Sequence, residues 1–244
     1  MQQQMSYRAV KGIQCSFDPG YSEWARDAIR GEIIESTSCF NRFSATKLNL
    51  PKIMIATDLG RPSVIGLYNS PDTISLSNHL LDYLVRKGVF GPKEGGFGLK
   101  VSEVIAHENM HRFRWLNGLQ HKMSSLQGEY LYLQAEEYSA VLGSLSYIYI
   151  YGYGSYLNEV KDIAREFRRT DAPSVRNTVY SVAYNISIAK CLSKDFDPER
   201  ELGIIMRSDT IDIIRDLVKI FGSADIETEV NKVLKRELRS LKRK

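Results

Sequence analysis

The chain has 244 residues, of which 43% are hydrophobic and 25% charged, which is ordinary for a soluble globular protein. Its three cysteines, Cys15, Cys39 and Cys191, are widely spaced and odd in number, which argues against a disulfide framework and fits a reducing compartment. The N-terminal residues predict no signal peptide, and glycines and serines interrupt the most apolar run, residues 140–156. We therefore expect a cytoplasmic protein in which that run is buried core and does not span a membrane.

Basic charge is concentrated at the C-terminal end of the chain. The net charge is +4, but residues 232–244 hold seven Lys/Arg and one Glu, which leaves −2 for the other 231 residues. The basic end of a solvated helix, which also suits the helix dipole, is the simpler interpretation. A contact with nucleic acid or another acidic partner is the less favoured interpretation.

The first 150 residues predict a mixture of helices and short strands. A helix is predicted from Asp18-Pro19 to about Phe40. Strands are predicted at residues 52–56, 63–68 and 73–77. A short helix over 79–87 and a glycine-rich loop over 88–98 follow. Two longer helices come next, one over 100–116 and one that begins near Ser124.

The remainder of the chain predicts helices alone. Their periodic apolar positions fall at residues 155–169, 173–193, 209–221 and 224–242. We therefore expect an α+β protein with a domain over residues 1–152 and an all-helical C-terminal subdomain over residues 153–244.

The helix over residues 100–116 contains the pattern H-E-x-x-H as His107-Glu108-Asn109-Met110-His111. Residues four apart in a helix lie about 40° apart around the axis and about 6 Å along it, so both imidazoles can reach one ion. Glu108 lies about 60° from His111, which places a carboxylate beside that ion. Two neutral nitrogen ligands and a base for a water molecule are what a zinc hydrolase requires. A surface helix with two spare histidines would give the same letters.

A catalytic zinc ion usually has three protein ligands and one open position, so a third ligand is needed. The metzincin pattern is excluded because Arg114 and Asn117 stand at its glycine and its third histidine. Glu137 lies on a mostly apolar face of the next helix, where a carboxylate needs a cation. Glu136 lies on the opposite face and is interpreted as a solvated surface acid, although by position it is the nearest rival. The remaining candidate ligands are Glu129 and His121.

At these residues the chain resembles the gluzincin metallopeptidases, especially the minigluzincins and the SprT-like and anti-repressor-type peptidases. The resemblance rests on residues 107–111, on Glu137-Tyr138-Ser139-Ala140 and on the stretch from Gly66 to Leu81, and it covers about residues 20–150. It implies a zincin-like core in which a small twisted sheet packs on the motif helix and a glutamate helix follows. The helical C-terminal part would form the other wall of the cleft. It also implies that Thr73–Ser77 is an edge strand that aligns an extended peptide by backbone pairing.

The resemblance implies zinc-dependent hydrolysis of peptide bonds in a protein or peptide substrate. His107, His111 and Glu137 would hold Zn²⁺, and Glu108 would act as general base on water and deliver the proton to the leaving amine. The candidates for stabilising the oxyanion are Tyr130, Tyr138 and His121, of which Tyr138 is the weakest because its helical position suggests core packing.

Two residues depart from the family pattern. Arg112 stands where an uncharged residue is usual, and Val141 stands where many relatives carry Asp or Asn to brace a ligand histidine. We therefore expect other residues to orient the metal ligands. A binding or regulatory protein that keeps the zincin scaffold without cleaving is the alternative function. A nucleic-acid-associated factor that uses the basic C-terminal stretch is the third function class.

Overall fold

The computed structural model of the chain describes residues 15–16, 23–56, 66–69, 72–77, 96–121, 126–151 and 175–221. These residues form six helices and four strands, so the protein belongs to the α+β class, with more helix than sheet. The chain forms two compact units, Met1–Phe113 and Arg114–Lys244. Among the described helices, none has both the length and the apolar character that crossing a bilayer requires.

The helices and strands have the following bounds. The strands are β1 (Cys15–Ser16), β2 (Lys52–Ala56), β3 (Gly66–Asn69) and β4 (Thr73–Ser77). The helices are α1 (Glu23–Phe43), α2 (Gly96–Leu116), α3 (Leu126–Ile150), α4 (Val175–Cys191), α5 (Pro198–Ile205) and α6 (Thr210–Phe221).

The four strands form one sheet in the order β1-β2-β4-β3. β2 is parallel to both β1 and β4, with Ile53 opposite Ile74, and β3 is antiparallel to β4, with Tyr68 opposite Ile74. β4 is therefore paired on both sides, so the expectation that Thr73–Ser77 is an edge strand is wrong. Residues 74–77 are all buried, as suits an interior strand, and β3 is the outer strand beside it.

The core of the first unit lies between the sheet and the apolar sides of α1 and α2. In β2 the residues alternate, with Ile53 and Ile55 buried and Lys52 and Met54 exposed, because successive strand residues point to opposite faces. Burying a branched aliphatic side chain of this kind stabilises the fold by about 1.5–3 kcal/mol. The buried residues that pack together are Ile29, Ile33, Ile53, Ile55, Ile74, Leu76, Val101 and Ile105.

In the second unit, α3 packs against α4, α5 and α6. Its residues from Tyr138 to Ile148 are all buried, and a helix that is buried all round must be the centre of its unit. Small residues such as Ser139, Ala140 and Ser144 line this stretch, and they let neighbouring helices approach closely. The described part of the predicted apolar run is thus buried through Ile148.

The predicted bounds of β2 and β4 agree with the structure, and α2 begins earlier than predicted, at Gly96. One described helix, α5, was not predicted. The carboxylate of Asp197 caps it by accepting from the N–H groups of Glu199 and Arg200 at 3.0 and 3.1 Å, and Pro198 occupies the first turn. The sequence Asp197-Pro198-Glu199 therefore contains a pattern that predicts the start of a helix.

Several predictions fall outside the described residues and stay predictions. They are the helices over 79–87, 155–169 and 224–242, the loop residues 88–95, the domain division at residues 152 and 153, and the basic stretch 232–244.

Candidate metal centre

The two motif histidines lie on one stripe of α2. On other sides of this helix the apolar residues Ile105, Met110 and Phe113 are fully inaccessible to solvent. His107 is buried and His111 is half-buried, and their Nε2 atoms lie 3.2 Å apart with the rings nearly perpendicular. Two nitrogen ligands of one tetrahedral zinc ion at about 2.05 Å each lie about 3.3 Å apart. The spacing of the two imidazoles suits two ligands of one ion, and it also suits a hydrogen bond between the rings.

Glu137 is the acid that the sequence assigned to these histidines. It is half-buried on α3, and its carboxylate with the two imidazoles is a set of donors that could hold a metal ion. Two imidazoles with one carboxylate are a donor set found in catalytic zinc sites, and the same set also suits other divalent ions.

Glu108 lies against the outer strand β3. Its Oε2 accepts a hydrogen bond from the backbone N–H of Tyr68 at 2.8 Å, and the residue is 7% exposed. A methyl group at Gly66 would lie 2.9 Å from Cγ of Glu108 and 2.9 Å from Cγ1 of Val104. Glycine at this position therefore allows the helix to approach the strand closely, and that approach brings the carboxylate to the backbone of β3.

Glu136 is not the solvated surface acid that the sequence predicted. It is only 3% exposed, and both of its carboxylate oxygens accept from the guanidinium of Arg114, at 3.1 and 3.0 Å. The hydroxyl of Thr210 also donates to Oε1 of Glu136 at 2.7 Å. The carboxylate is thus engaged by a cation and a donor of the protein, which argues against Glu136 as a metal ligand.

Glu129 and His121 are the remaining candidate ligands, and Tyr130 and His121 are candidates for stabilising an oxyanion. The side chains of Glu129 and Tyr130 lie outside the described residues. His121 is exposed, and its Nε2 lies 3.7 Å from a carboxylate oxygen of Asp209.

Tyr138, the weakest of the three candidates for stabilising an oxyanion, is 4% exposed. Its hydroxyl accepts from Nζ of Lys190 at 3.5 Å, and burial, followed by the charge of Glu201, raises the pKa of its phenol. It is a core residue, as its helical position suggested, and it stays neutral at pH 7.

The face of α2 opposite the histidines is fastened by two polar residues whose role the sequence did not reveal. The amide of Asn109 donates to the hydroxyls of Ser36 and Thr37 on α1, both at 3.0 Å. Arg112 is 1% exposed and donates to Oδ1 of Asn109 at 3.2 Å.

Arg112 also holds two segments that precede strands. Its guanidinium donates to Oδ1 of Asp72, next to β4, and to the backbone carbonyl of Asn49, ahead of β2. The charged residue that departs from the family pattern is thus a structural tie between α2 and the sheet. Arg112 lies about 140° round the helix axis from His107, and this position already indicated that its side chain points away from the metal ligands.

Comparisons of the chain with protein-family models, with curated proteins and with solved structures found no match. Inferences about function therefore start from the residues of this chain.

Proposed function

We propose that this chain is a zinc-dependent peptidase of the gluzincin type, with His107, His111 and Glu137 as metal ligands and Glu108 as general base. In this proposal α2 is the motif helix and α3 the glutamate helix. The observation that carries it is the 3.2 Å separation of the two Nε2 atoms, because this is the spacing of two nitrogen ligands on one ion.

The residues fit a zinc ion by their chemistry. Two imidazoles and a carboxylate leave the fourth position of a tetrahedral site for water or substrate. A bound zinc ion would lower the pKa of a water molecule towards about 7 and polarise the scissile carbonyl.

Glu108 would move the proton. It directly follows His107 on α2, and its hydrogen bond to the N–H of Tyr68 fixes the carboxylate while leaving it acceptor capacity for a proton. It would take the proton of the attacking water and deliver it to the nitrogen of the leaving amine as the carbon–nitrogen bond breaks.

The substrate that suits this arrangement is an extended peptide segment. β3 is the outer strand of the described sheet and is four residues long, so a short stretch of peptide can pair with it through main-chain hydrogen bonds. The strand that contacts Glu108 is β3 and not β4, so we place the pairing on Gly66–Asn69.

The test of the proposal is the metal content of the purified protein, measured by elemental analysis beside two histidine variants. We expect about one zinc per chain in the wild type and at least a tenfold lower occupancy in His111→Ala, because two ligands hold the ion far more weakly than three. His121→Ala removes an exposed histidine outside the motif and is the matched control, with wild-type metal content expected.

Equal metal content in His111→Ala and the wild type would overturn the proposed site. A protein that binds zinc at these residues and hydrolyses neither casein nor a peptide library would instead be the regulatory protein that keeps the scaffold.

A further inference from the structure

The ion pair between Arg114 and Glu136 is deeply buried. The side chains are 0% and 5% exposed, and the guanidinium and carboxylate meet in two parallel hydrogen bonds of 3.0 and 3.1 Å. This fork-to-fork geometry fixes direction as well as distance, because both groups are planar. The pair therefore permits one relative placement of the two side chains.

Further hydrogen bonds hold both partners in place. Nη1 of Arg114 donates to the carbonyls of Ile205 and Ser208 at 2.8 and 2.9 Å, at the end of α5 and just after it. The hydroxyl of Thr210, the first residue of α6, donates to Glu136 at 2.7 Å. Arg114, Glu136 and Thr210 form what we call the Arg114 clasp.

The clasp lies next to the candidate ligands along both helices. Arg114 is seven residues after His107, so it lies within about 20° of it around α2, and it is three residues after His111. Glu136 directly precedes Glu137 on α3. A helix is rigid over one turn, so a contact that fixes Arg114 against Glu136 also limits the rotation and sliding of the adjacent ligand residues.

Stability alone does not account for such a pair. Replacing a buried ion pair by apolar residues of similar volume is often neutral or stabilising, because desolvation of the two charges offsets their attraction. The best-attested use of a buried polar contact is to specify one register between helices. The clasp has the directionality that this use requires.

We propose that the Arg114 clasp is the positioning device of the metal centre, and that it sets the register at which Glu137 is presented to the two histidines. Arg114, Glu136 and Thr210 are positioning residues and do not bind the ion. This inference rests on the proposed function, since it concerns the affinity of the same three ligands for a metal.

The test is the zinc affinity of Glu136→Gln, measured by competition with a chromophoric chelator, and the absorption spectrum of the cobalt-loaded protein. Gln keeps the shape of the side chain but removes the charge and one acceptor, so the fork to Arg114 is lost. We expect zinc affinity to fall by about 10- to 100-fold, as is typical when residues that support ligands are changed. The cobalt bands of a tetrahedral site should shift or weaken in the same variant.

Glu201→Gln is the matched control. Glu201 forms an ion pair with Lys190 between α5 and α4, so the same substitution breaks a pair in the same unit without touching the clasp. We expect the zinc affinity and the cobalt spectrum of this variant to equal those of the wild type. A similar loss of affinity in Glu201→Gln would mean that any lost ion pair has this effect, and it would overturn the positioning role.

Thr210→Val decides the question if Glu136→Gln does not fold. It keeps the side-chain shape and removes the hydroxyl, which donates to Glu136 and accepts from the backbone N–H of His121 at 3.1 Å. We expect a loss of zinc affinity of several-fold, with recovery in Thr210→Ser. Folded Glu136→Gln or Thr210→Val protein that binds zinc as tightly as the wild type overturns the positioning role alone. A wild-type protein that binds no zinc overturns the proposed function and this inference with it.

Discussion

Two features of β3 set the position of Glu108, a hydrogen bond and a close approach at a glycine. The N–H of Tyr68 donates to one carboxylate oxygen, and the missing side chain of Gly66 gives the carboxylate stem room to lie against the strand. In the proposed mechanism Glu108 must be within hydrogen-bond reach of the proton that it removes. The position of Glu108 is therefore set by main-chain atoms of the sheet, which move less than side chains.

The substitution Glu108→Gln should separate metal binding from catalysis. An amide cannot accept the proton of water at neutral pH, so we expect peptide turnover to fall by about 10²- to 10⁴-fold while zinc content stays at the wild-type level. Turnover of a fluorogenic peptide and elemental analysis of the same sample are the measurements. The control is Glu199→Gln, an exposed glutamate of α5, which should keep its turnover. Unchanged turnover in Glu108→Gln would remove this residue from the mechanism.

The substitution Gly66→Ala should destabilise the protein through a steric conflict. The new methyl group would lie 2.9 Å from carbon atoms of Glu108 and Val104, closer than carbon atoms can pack. We expect a loss of about 1–3 kcal/mol in the free energy of unfolding, measured with urea, together with lower turnover.

A second glycine supplies the comparison for Gly66→Ala. Gly118 has φ of +65° and nothing within 4 Å of an added Cβ, and Asn tolerates this backbone conformation. Gly118→Asn should therefore change stability by less than about 0.5 kcal/mol. Equal stability of Gly66→Ala and the wild type would show that α2 can move away from β3 without loss.

At the scale of single residues, the positions of side chains around one helix could be predicted from the sequence. Their contacts with residues far away in the sequence could not. The spacing of His107 and His111 placed both rings on one stripe, as the structure has them. The position of Glu136 on its own helix suggested solvent, but its partner Arg114 lies 22 residues earlier in the chain. A buried carboxylate is tolerated only when it is paired, and the sequence pattern does not show that pairing.

At the scale of elements, α5 shows how much a short helix depends on its first residue. The helix has eight residues, which is too few for stability on its own, and Asp197 satisfies two of its first N–H groups. We expect Asp197→Ala to lower the free energy of unfolding by about 1 kcal/mol, measured by urea denaturation. Asp197→Asn keeps a capping oxygen and should lie within a few tenths of a kcal/mol of the wild type. Equal losses in both variants would show that the charge, and not the cap, is what matters.

The strands were predictable in extent but not in order. Alternation in residues 52–56 and 73–77 identified β2 and β4 because each strand buries one set of alternate side chains or both. The placement of β4 between β2 and β3 follows from pairings with separate parts of the chain, and local alternation carries no information about which neighbour a strand will take. For the same reason the outer strand was assigned to the wrong segment.

At the scale of the whole molecule, zinc should act as a stabilising ligand. A metal that binds only the folded state at a free concentration of about 1,000 times its dissociation constant stabilises that state by about 4 kcal/mol. For a chain of this size, we expect chelation to lower the unfolding temperature by roughly 8–16 °C, measured by calorimetry with and without EDTA. His111→Ala should show no such dependence on EDTA. If chelation of the zinc-loaded wild type leaves the unfolding temperature unchanged, the unfolded chain binds the ion as well as the folded protein does.

The hydrogen bond from Tyr68 to Glu108 has a consequence for how the sequence of this protein can change over time. Its donor is a peptide amide, which every amino acid except proline supplies. This hydrogen bond therefore allows any residue except proline at position 68. Position 66 has no such freedom, because any replacement for its glycine adds a carbon where the glutamate already lies. In a set of natural variants we would look for a fixed glycine two places before a residue of varied identity.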